Sequence, residues 1–230
     1  MEAEEIIRLI HDNKKKTPVK IYLKSKKKIE LRHARNFGNE TQIFFADWED
    51  VKDELNQYSK DIEDIQIECE QRNSALPLLD IKNINARIEP GAIIRTGVEI
   101  GNQAIIMMGA ILNIGVSIGE KTMIDMGAVI GGRAMIGKRC HIGANAVIAG
   151  VIEPFNAVPV SIADDVIVGA NAVILEGIRV ESGAVIAAGA IVVHHVEANQ
   201  VVAGIPARVI KYVDDKTKDK TKIIDLLRSI

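Results

Sequence analysis

The sequence predicts a mainly β fold: a parallel β-helix of triangular cross-section, with a small N-terminal α/β domain before it and a C-terminal helix after it. Three observations carry this reading. Branched aliphatic residues recur at every sixth position, beginning Ile88, Ile94, Ile100, Ile106 and Leu112. Of 18 glycines, 17 fall between Gly91 and Gly204. Aromatic residues make up only 3% of a 230-residue chain that is 47% hydrophobic, and isoleucine alone occurs 37 times.

A six-residue period fits neither a 3.6-residue helix nor a lone two-residue strand, but it fits one flat side of a coil. Three such sides close a turn of 18 residues, and neighbouring turns pair as parallel strands about 4.8 Å apart. The first run holds without a miss to Ile148, and a second, in shifted phase, runs from Ile162 to Val192, making 17 hexapeptides in all. That is nearly six coils, a prism roughly 27 Å long at the parallel-strand spacing. Four residues after each aliphatic the side chain is small or β-branched, as at Ala104, Ala110, Val116, Cys140 and Ala146. Both positions are expected to point inward. The residue just after the aliphatic is often glycine and is read as releasing the corner. Phe155 is the only aromatic residue from Ile88 to Ile210, and it falls in the insertion, residues 149–161, that separates the two runs.

The domains expected are therefore 1–84 (α/β), 85–210 (β-helix with the inserted loop 149–161) and 211–230 (C-terminal helix). In the first, Ala3 to His11 has helical periodicity, and Val19 to Leu23, Gln42 to Phe45 and Ile62 to Glu68 read as strands. Trp48 to Tyr58 reads as an amphipathic helix opened by Asp47 as N-cap. The basic run Lys24 to Lys28 has acidic neighbours and no interleaved aromatics, so it reads as a solvated turn. Lys222 to Ile230 puts Ile223, Ile224, Leu226, Leu227 and Ile230 on one helical face that needs a partner surface.

Net charge is −2, from 29 basic and 31 acidic residues, so no global field favours nucleic acid or an anionic membrane. The cysteines, Cys69 and Cys140, have no metal-ligand spacing. The N-terminus is acidic, and no stretch of 18 uncharged apolar residues occurs, so the chain reads as reduced and cytoplasmic with no membrane partner. Inward residues of the repeat are scaffold. Function is expected from outward residues, the insertion and the ends. Flat outer faces invite symmetric packing, and a homotrimer with clefts between prisms is the expected assembly.

The hexapeptide prism resembles the left-handed β-helix acyltransferases, and Val201-Val202-Ala203-Gly204-Ile205-Pro206-Ala207-Arg208 is similar to the G-x-P-A ending of many of them. That resemblance implies left-handed coils and an acyl-CoA lying in the cleft between subunits. Gly169 and Ala187 would meet its pantetheine arm, and Arg208 and Lys211 its phosphates; the same two cations also fit an ordinary solvated surface. Thr122-Met123-Ile124-Asp125-Met126 and Gly150-Val151-Ile152-Glu153-Pro154, with Pro159-Val160, resemble the tetrahydrodipicolinate N-acyltransferases of bacterial lysine synthesis. Asn73-Ser74-Ala75-Leu76-Pro77-Leu78 and Ala86-Arg87-Ile88-Glu89-Pro90-Gly91, with the N-terminal α/β segment, are similar to the N-acetyltransferase branch. The resemblance covers essentially the whole chain. It implies transfer of acetyl from acetyl-CoA to a small dicarboxylate amine, 2-amino-6-oxopimelate, with no metal.

Such a reaction needs a base for the amine, donors for the oxyanion, and cations or amides for the carboxylates. Asp125 falls at an outward corner position and matches the acid–base Asp of the succinyl relatives; otherwise it is a corner residue tolerating a turn. The second acidic group of those relatives falls at Val173 here, and Glu153 in the inserted loop is the nearest replacement, unless it forms only a loop salt bridge. His141, beside inward Cys140 and Ile142, should point outward, and related sugar and serine acetyltransferases use an imidazole base. Arg87 matches an arginine that binds substrate carboxylate in the succinyl branch. Phe155 stands where proline is common, and Ala163 replaces a usual acidic residue. The competing readings are an acetyltransferase for a sugar or serine, a γ-carbonic anhydrase using three imidazoles around zinc, and a non-catalytic structural β-solenoid. Only His141, His194 and His195 lie in the prism for the zinc reading.

Overall fold

The computed structural model describes residues 1–154 and 156–228. The chain forms two compact units, one of Met1–Arg8 with Pro77–Ile230 and the other of Leu9–Leu76. α1 spans Ala3–Asp12.

In the smaller unit the antiparallel strands β1 (Pro18–Ser25), β2 (Arg35–Phe37), β3 (Thr41–Asp47) and β4 (Ile62–Cys69) lie in the order β2-β3-β1-β4. Alternation puts Val19, Ile21 and Leu23 on one side of β1, where they bury with Phe44 against Val51 and Leu55 of α2 (Trp48–Gln57). Gln42 is buried on that side and holds both backbone groups of Ile29, at 2.8 Å each. Asp47 occupies the N-cap position of α2, but its side chain makes no capping bond; Oδ1 instead accepts from the Thr17 N–H at 3.0 Å. β2 lacks a sequence signal because all of its residues are exposed. Lys24, Lys27 and Lys28 pair with Glu63, Asp61 and Glu30, as a solvated turn requires.

The larger unit is a parallel β-solenoid of about six coils. Its strands run from β5 (Arg87–Ile88) to β21 (Ile191–Val192); among the described residues there are seventeen, each two residues long and each ending on a hexapeptide aliphatic. Pairing is offset by 18 residues, as in Ile105 to Met123 to His141, until the insertion raises it to 26 at His141 to Ile167. The inserted loop therefore adds eight residues between Ile148 and Ser161. The strands sort into three sheets. The first face stacks Arg87, Ile105, Met123, His141, Ile167 and Val185, then β22 (Gln200–Gly204) and antiparallel β23 (Ala207–Tyr212). The second stacks Ile93, Ile111, Val129, Val147, Val173 and Ile191. The third stacks Glu99, Ser117, Met135, Ser161 and Arg179.

The core is the inward pair of each side, such as Ile130 with Ala134 or Ile142 with Ala146, all fully buried. Cys140 is one of the small inward residues, and burial pushes its thiol up to about 11. Corner geometry differs from the expectation. The left-handed residue lies three positions after the aliphatic, as at Lys121 (φ 56°) and Gly127 (φ 67°). The glycines directly after the aliphatic serve stacking instead. A Cβ at Gly143 or Gly169 would come within 2.7 or 2.4 Å of the next coil's backbone.

The inserted loop is held by Arg133, whose guanidinium donates to the carbonyls of Val151 (3.3 Å) and Ala157 (3.1 Å). Phe155 lies outside the described residues. The C-terminal helix begins earlier than the apolar pattern suggests. α3 spans Asp215–Thr221, because the Asp214 carboxylate caps it by accepting from Thr217 N–H at 2.7 Å. Thr217 and Lys211 together hold the Asp214 carboxyl well below the usual carboxylate range. A separate 3₁₀ turn follows at Asp225–Arg228, with Leu226 and Leu227 exposed rather than sharing one buried helical face; Ile230 lies outside the described residues.

Because Ile130 is fully buried in the inward column, Ile130→Ala is expected to cost about 3 kcal/mol. Ala134→Leu should also destabilise, by overpacking. Urea unfolding of both variants measures this, and a midpoint unchanged for Ile130→Ala would contradict the packing described.

Candidate acyl-transfer site

On the first face the residue at the head of each strand points away from the core. Asp125 follows Ile124 at the corner after that face, and His141 heads the strand one coil on. A coil of 18 residues puts Gly143 over Asp125, so His141, two residues earlier, becomes its diagonal neighbour. His141 Nε2 lies 3.5 Å from Asp125 Oδ2, with 34% and 21% of the two side chains exposed. Asp125 Oδ1 accepts from the Met126 N–H at 2.8 Å, which fixes the carboxylate's direction. Burial holds the His141 imidazole below its ordinary value; the Asp125 carboxylate pulls it back up, and the Arg228 guanidinium adds to the lowering.

The pair opens into a groove of about 430 Å³. Its floor is Met123, Gly143, Ala144, Val168, Gly169 and Ala170, and the C-terminal segment supplies its other wall through Ile223, Ile224, Leu227 and Arg228. A neutral imidazole beside a carboxylate, in an open groove with a small-residue floor, can take a proton from a nucleophile and be stabilised once charged.

The other predicted residues lie elsewhere. Gly169 lines the groove two coils' height from Asp125, and Ala187 continues the same corner beyond it. Their N–H groups donate to Ile186 and Val202 in the coil ladder, and their carbonyls accept from Ala172 and Ala190. Arg208, on β23, is exposed, and its guanidinium donates to its neighbour's carbonyl, Ala207 O, at 3.0 Å. Lys211 is paired with Asp214 at 3.0 Å. Arg87 heads the first strand of the same face, three coils below His141 or roughly 14 Å at the parallel-strand spacing, and pairs with Glu89 at 3.7 Å. Glu153 is exposed in the loop that leaves after the second face and returns at the third, the corner opposite the groove. It is not brought to Asp125 within one chain. Among the described residues no group of three or more His, Cys, Asp and Glu side chains could hold a metal ion. No helix there is long and apolar enough to cross a membrane.

Residues 1–81 match the family described as tetrahydrodipicolinate succinyltransferase N-terminal, 115–150 the bacterial transferase hexapeptide (six repeats), and 159–193 the hexapeptide repeat of succinyl-transferase. The 2,3,4,5-tetrahydropyridine-2,6-dicarboxylate N-acetyltransferase of Enterococcus faecalis is 60% identical over the full length of both chains. The chain belongs to that N-acetyltransferase family. The enzyme of the same name from Alkaliphilus metalliredigens is 59% identical over 100% of this chain and 99% of its own. Among solved structures, a histidine-to-asparagine mutant of perosamine N-acetyltransferase from Caulobacter crescentus, in complex with CoA and GDP-perosamine, superposes with a TM-score of 0.51. It is 25% identical and covers 56% of this chain and 57% of that chain.

In this N-acetyltransferase the cleft side chains missed at the sequence level include Met123 and Arg228. Met123 could have been found from the 18-residue stack, since it lies directly under His141. Arg228 had no such signal, because the tail carries no repeat.

The lowered imidazole has a consequence for stability. Its folded value lies below the unfolded one, so the unfolded chain binds the proton first, and stability declines as pH falls below about 6.5. His141→Gln should lose this part of the decline; denaturant midpoints at pH 8 and pH 5 would show it. Identical pH dependence in the two proteins would contradict the burial of the ring.

Proposed function

We propose that the chain moves the acetyl group of acetyl-CoA to the amine of L-2-amino-6-oxopimelate, the ring-opened form of tetrahydrodipicolinate. The products are L-2-acetamido-6-oxopimelate and CoA, in the diaminopimelate route to lysine. What supports this most is the Asp125–His141 pair at the groove, in a chain 60% identical to an enzyme named for that N-acetylation.

The substrate amine enters after losing its ammonium proton. As its nitrogen bonds to the thioester carbonyl carbon, neutral His141 takes the remaining excess proton, and Asp125 stabilises the imidazolium. Ala144, the corner residue after Gly143, lines the groove and supplies the backbone amide for the oxyanion. The carbon–sulfur bond then breaks, and the proton passes from His141 to the departing sulfur. Gly169 and Ala187 flank the pantetheine arm, offering second carbonyl lone pairs and an apolar surface because their N–H groups serve the ladder. Arg208 and Lys211, at the end of the same face, meet the phosphates, and Arg87 meets a substrate carboxylate.

The assembly proposed is a homotrimer in the cytoplasm. The second face carries an unbroken outward stripe of β-branched residues, Ile93, Ile111, Val129, Val147, Val173 and Ile191, with Ile93 48% and Ile111 40% exposed. A neighbour seated there buries that surface and can bring its Glu153 loop to the groove, which a single chain cannot do.

Release of free thiol from acetyl-CoA tests the chemistry. His141→Asn should lower kcat by about 10²- to 10⁴-fold and Asp125→Asn by roughly 10²-fold, with folding intact. Thiol release indifferent to tetrahydrodipicolinate would overturn the substrate. Light scattering should give three chains per particle, and Val147→Glu, at the centre of the stripe, should yield monomer; a monomeric wild type would overturn the assembly.

A further inference from the structure

The inserted loop leaves the coil ladder, and a side chain takes the ladder's place. Among the described residues, the loop's backbone bonds to the coil before it stop where the Val151 N–H donates to the Gly132 carbonyl at 3.1 Å. They resume where the Val160 carbonyl accepts from the Met135 N–H at 3.0 Å. Between those points the Ala157 N–H donates to the Pro154 carbonyl, a bond internal to the loop. Arg133 spans the gap: its Nη1 donates to the carbonyls of Val151 and Ala157, at 3.3 and 3.1 Å.

Arg133 stands at the left-handed corner of its coil, φ 66°, where the two coils before it have Gly97 and Gly115. Its side chain is only 10% exposed, and arginine is rarely buried without partners. Glu2 brings a carboxylate oxygen to 3.4 Å from Nη2, but the Glu2 side chain is 81% exposed, so solvent screens that pair. The two loop carbonyls are the stronger partners, because their bonds to the guanidinium are charge-assisted and lie where the side chain is buried. They fall on either side of Glu153, which is exposed. Tying both to one nitrogen closes that stretch and removes most of its freedom to swing.

We propose that Arg133 is a positioning residue for acetyl transfer in the adjoining subunit: it clamps the inserted loop so that Glu153 is presented to that subunit's groove in one orientation. The inference rests on the homotrimer and on the reading of Glu153 as a group delivered to a neighbour. Arg133 sits at the corner from which the loop leaves, away from the groove of its own chain, so its effect on transfer passes through the loop.

The experiment uses full-length chains co-expressed under two affinity tags, with thiol release from acetyl-CoA as the readout. Arg133→Gln, trimeric by light scattering, should lower kcat by about 10²-fold, the scale of a catalytic group misplaced by roughly 1 Å. Arg133→Lys, which keeps the charge but loses the planar fork, should fall in the same direction and serves if Arg133→Gln does not fold. The decisive sample is a mixed trimer of Arg133→Gln chains with His141→Asn chains. Where the clamped loop of a His141→Asn chain meets the intact groove of an Arg133→Gln chain, a complete site is rebuilt, and an equal mixture should recover about a quarter of wild-type activity. A side chain that only stabilised its own coil would give no recovery. Wild-type kcat in a folded Arg133 variant would overturn the inference alone. So would mixed trimers no more active than their parents, when Glu153→Gln chains mixed with His141→Asn chains do recover. Full activity of Glu153→Gln, a monomeric wild type, or no recovery in either mixture would overturn the reading of Glu153 and the inference with it.

Discussion

The 18-residue register is the constraint from which the rest follows. Once a large aliphatic must enter the prism at every sixth residue, each side is short, each coil has three sides, and each strand residue sits above the one 18 positions earlier, or 26 across the inserted loop. A slip of one residue would turn the aliphatic column outward and fail along the whole stack. Parallel pairing then fixes outward residues as rigidly as inward ones. Asp125 and His141, far apart along the chain, become neighbours with no dedicated element to position them.

That rigidity explains why the solenoid was legible in the sequence. All of its short strands end on the aliphatics that the period marks, and the small inward partners are buried from Val98 onward. The role of glycine was less legible, because two demands share one residue type. The left-handed corner tolerates Lys121 or Asn145 as well as glycine, at a cost of about 1 kcal/mol, whereas the tight approach at Gly143 and Gly169 excludes any side chain there. Position in the repeat, and not composition, separates the two.

The candidate site was legible in its parts and not in its assembly. Asp125 and His141 were both marked as outward, but their contact follows only when the hexapeptide phase is converted into coil register. Glu153 and Arg87, both marked by the resemblance, sit far from that pair in one chain: the loop emerges at the corner opposite the groove, and Arg87 lies three coils below His141. Arg228 was invisible because it lies outside any repeat, and a long-range bond to the Lys121 carbonyl is among the contacts of its buried side chain. Lys211 has a partner the sequence did not mark: Asp214, the cap of α3, lies 3.0 Å from its ammonium group.

The function proposed on this scaffold thus comes from a few outward side chains at one corner, while the stack supplies their precision. The most direct test is a crystal structure with CoA and a dicarboxylate substrate analogue. The expected complex places the sulfur and the analogue's amine within hydrogen-bonding reach of His141 Nε2, with the pantetheine arm running past Gly169 and Ala187. A sulfur bound over the third face, or at the loop corner away from His141, would contradict it.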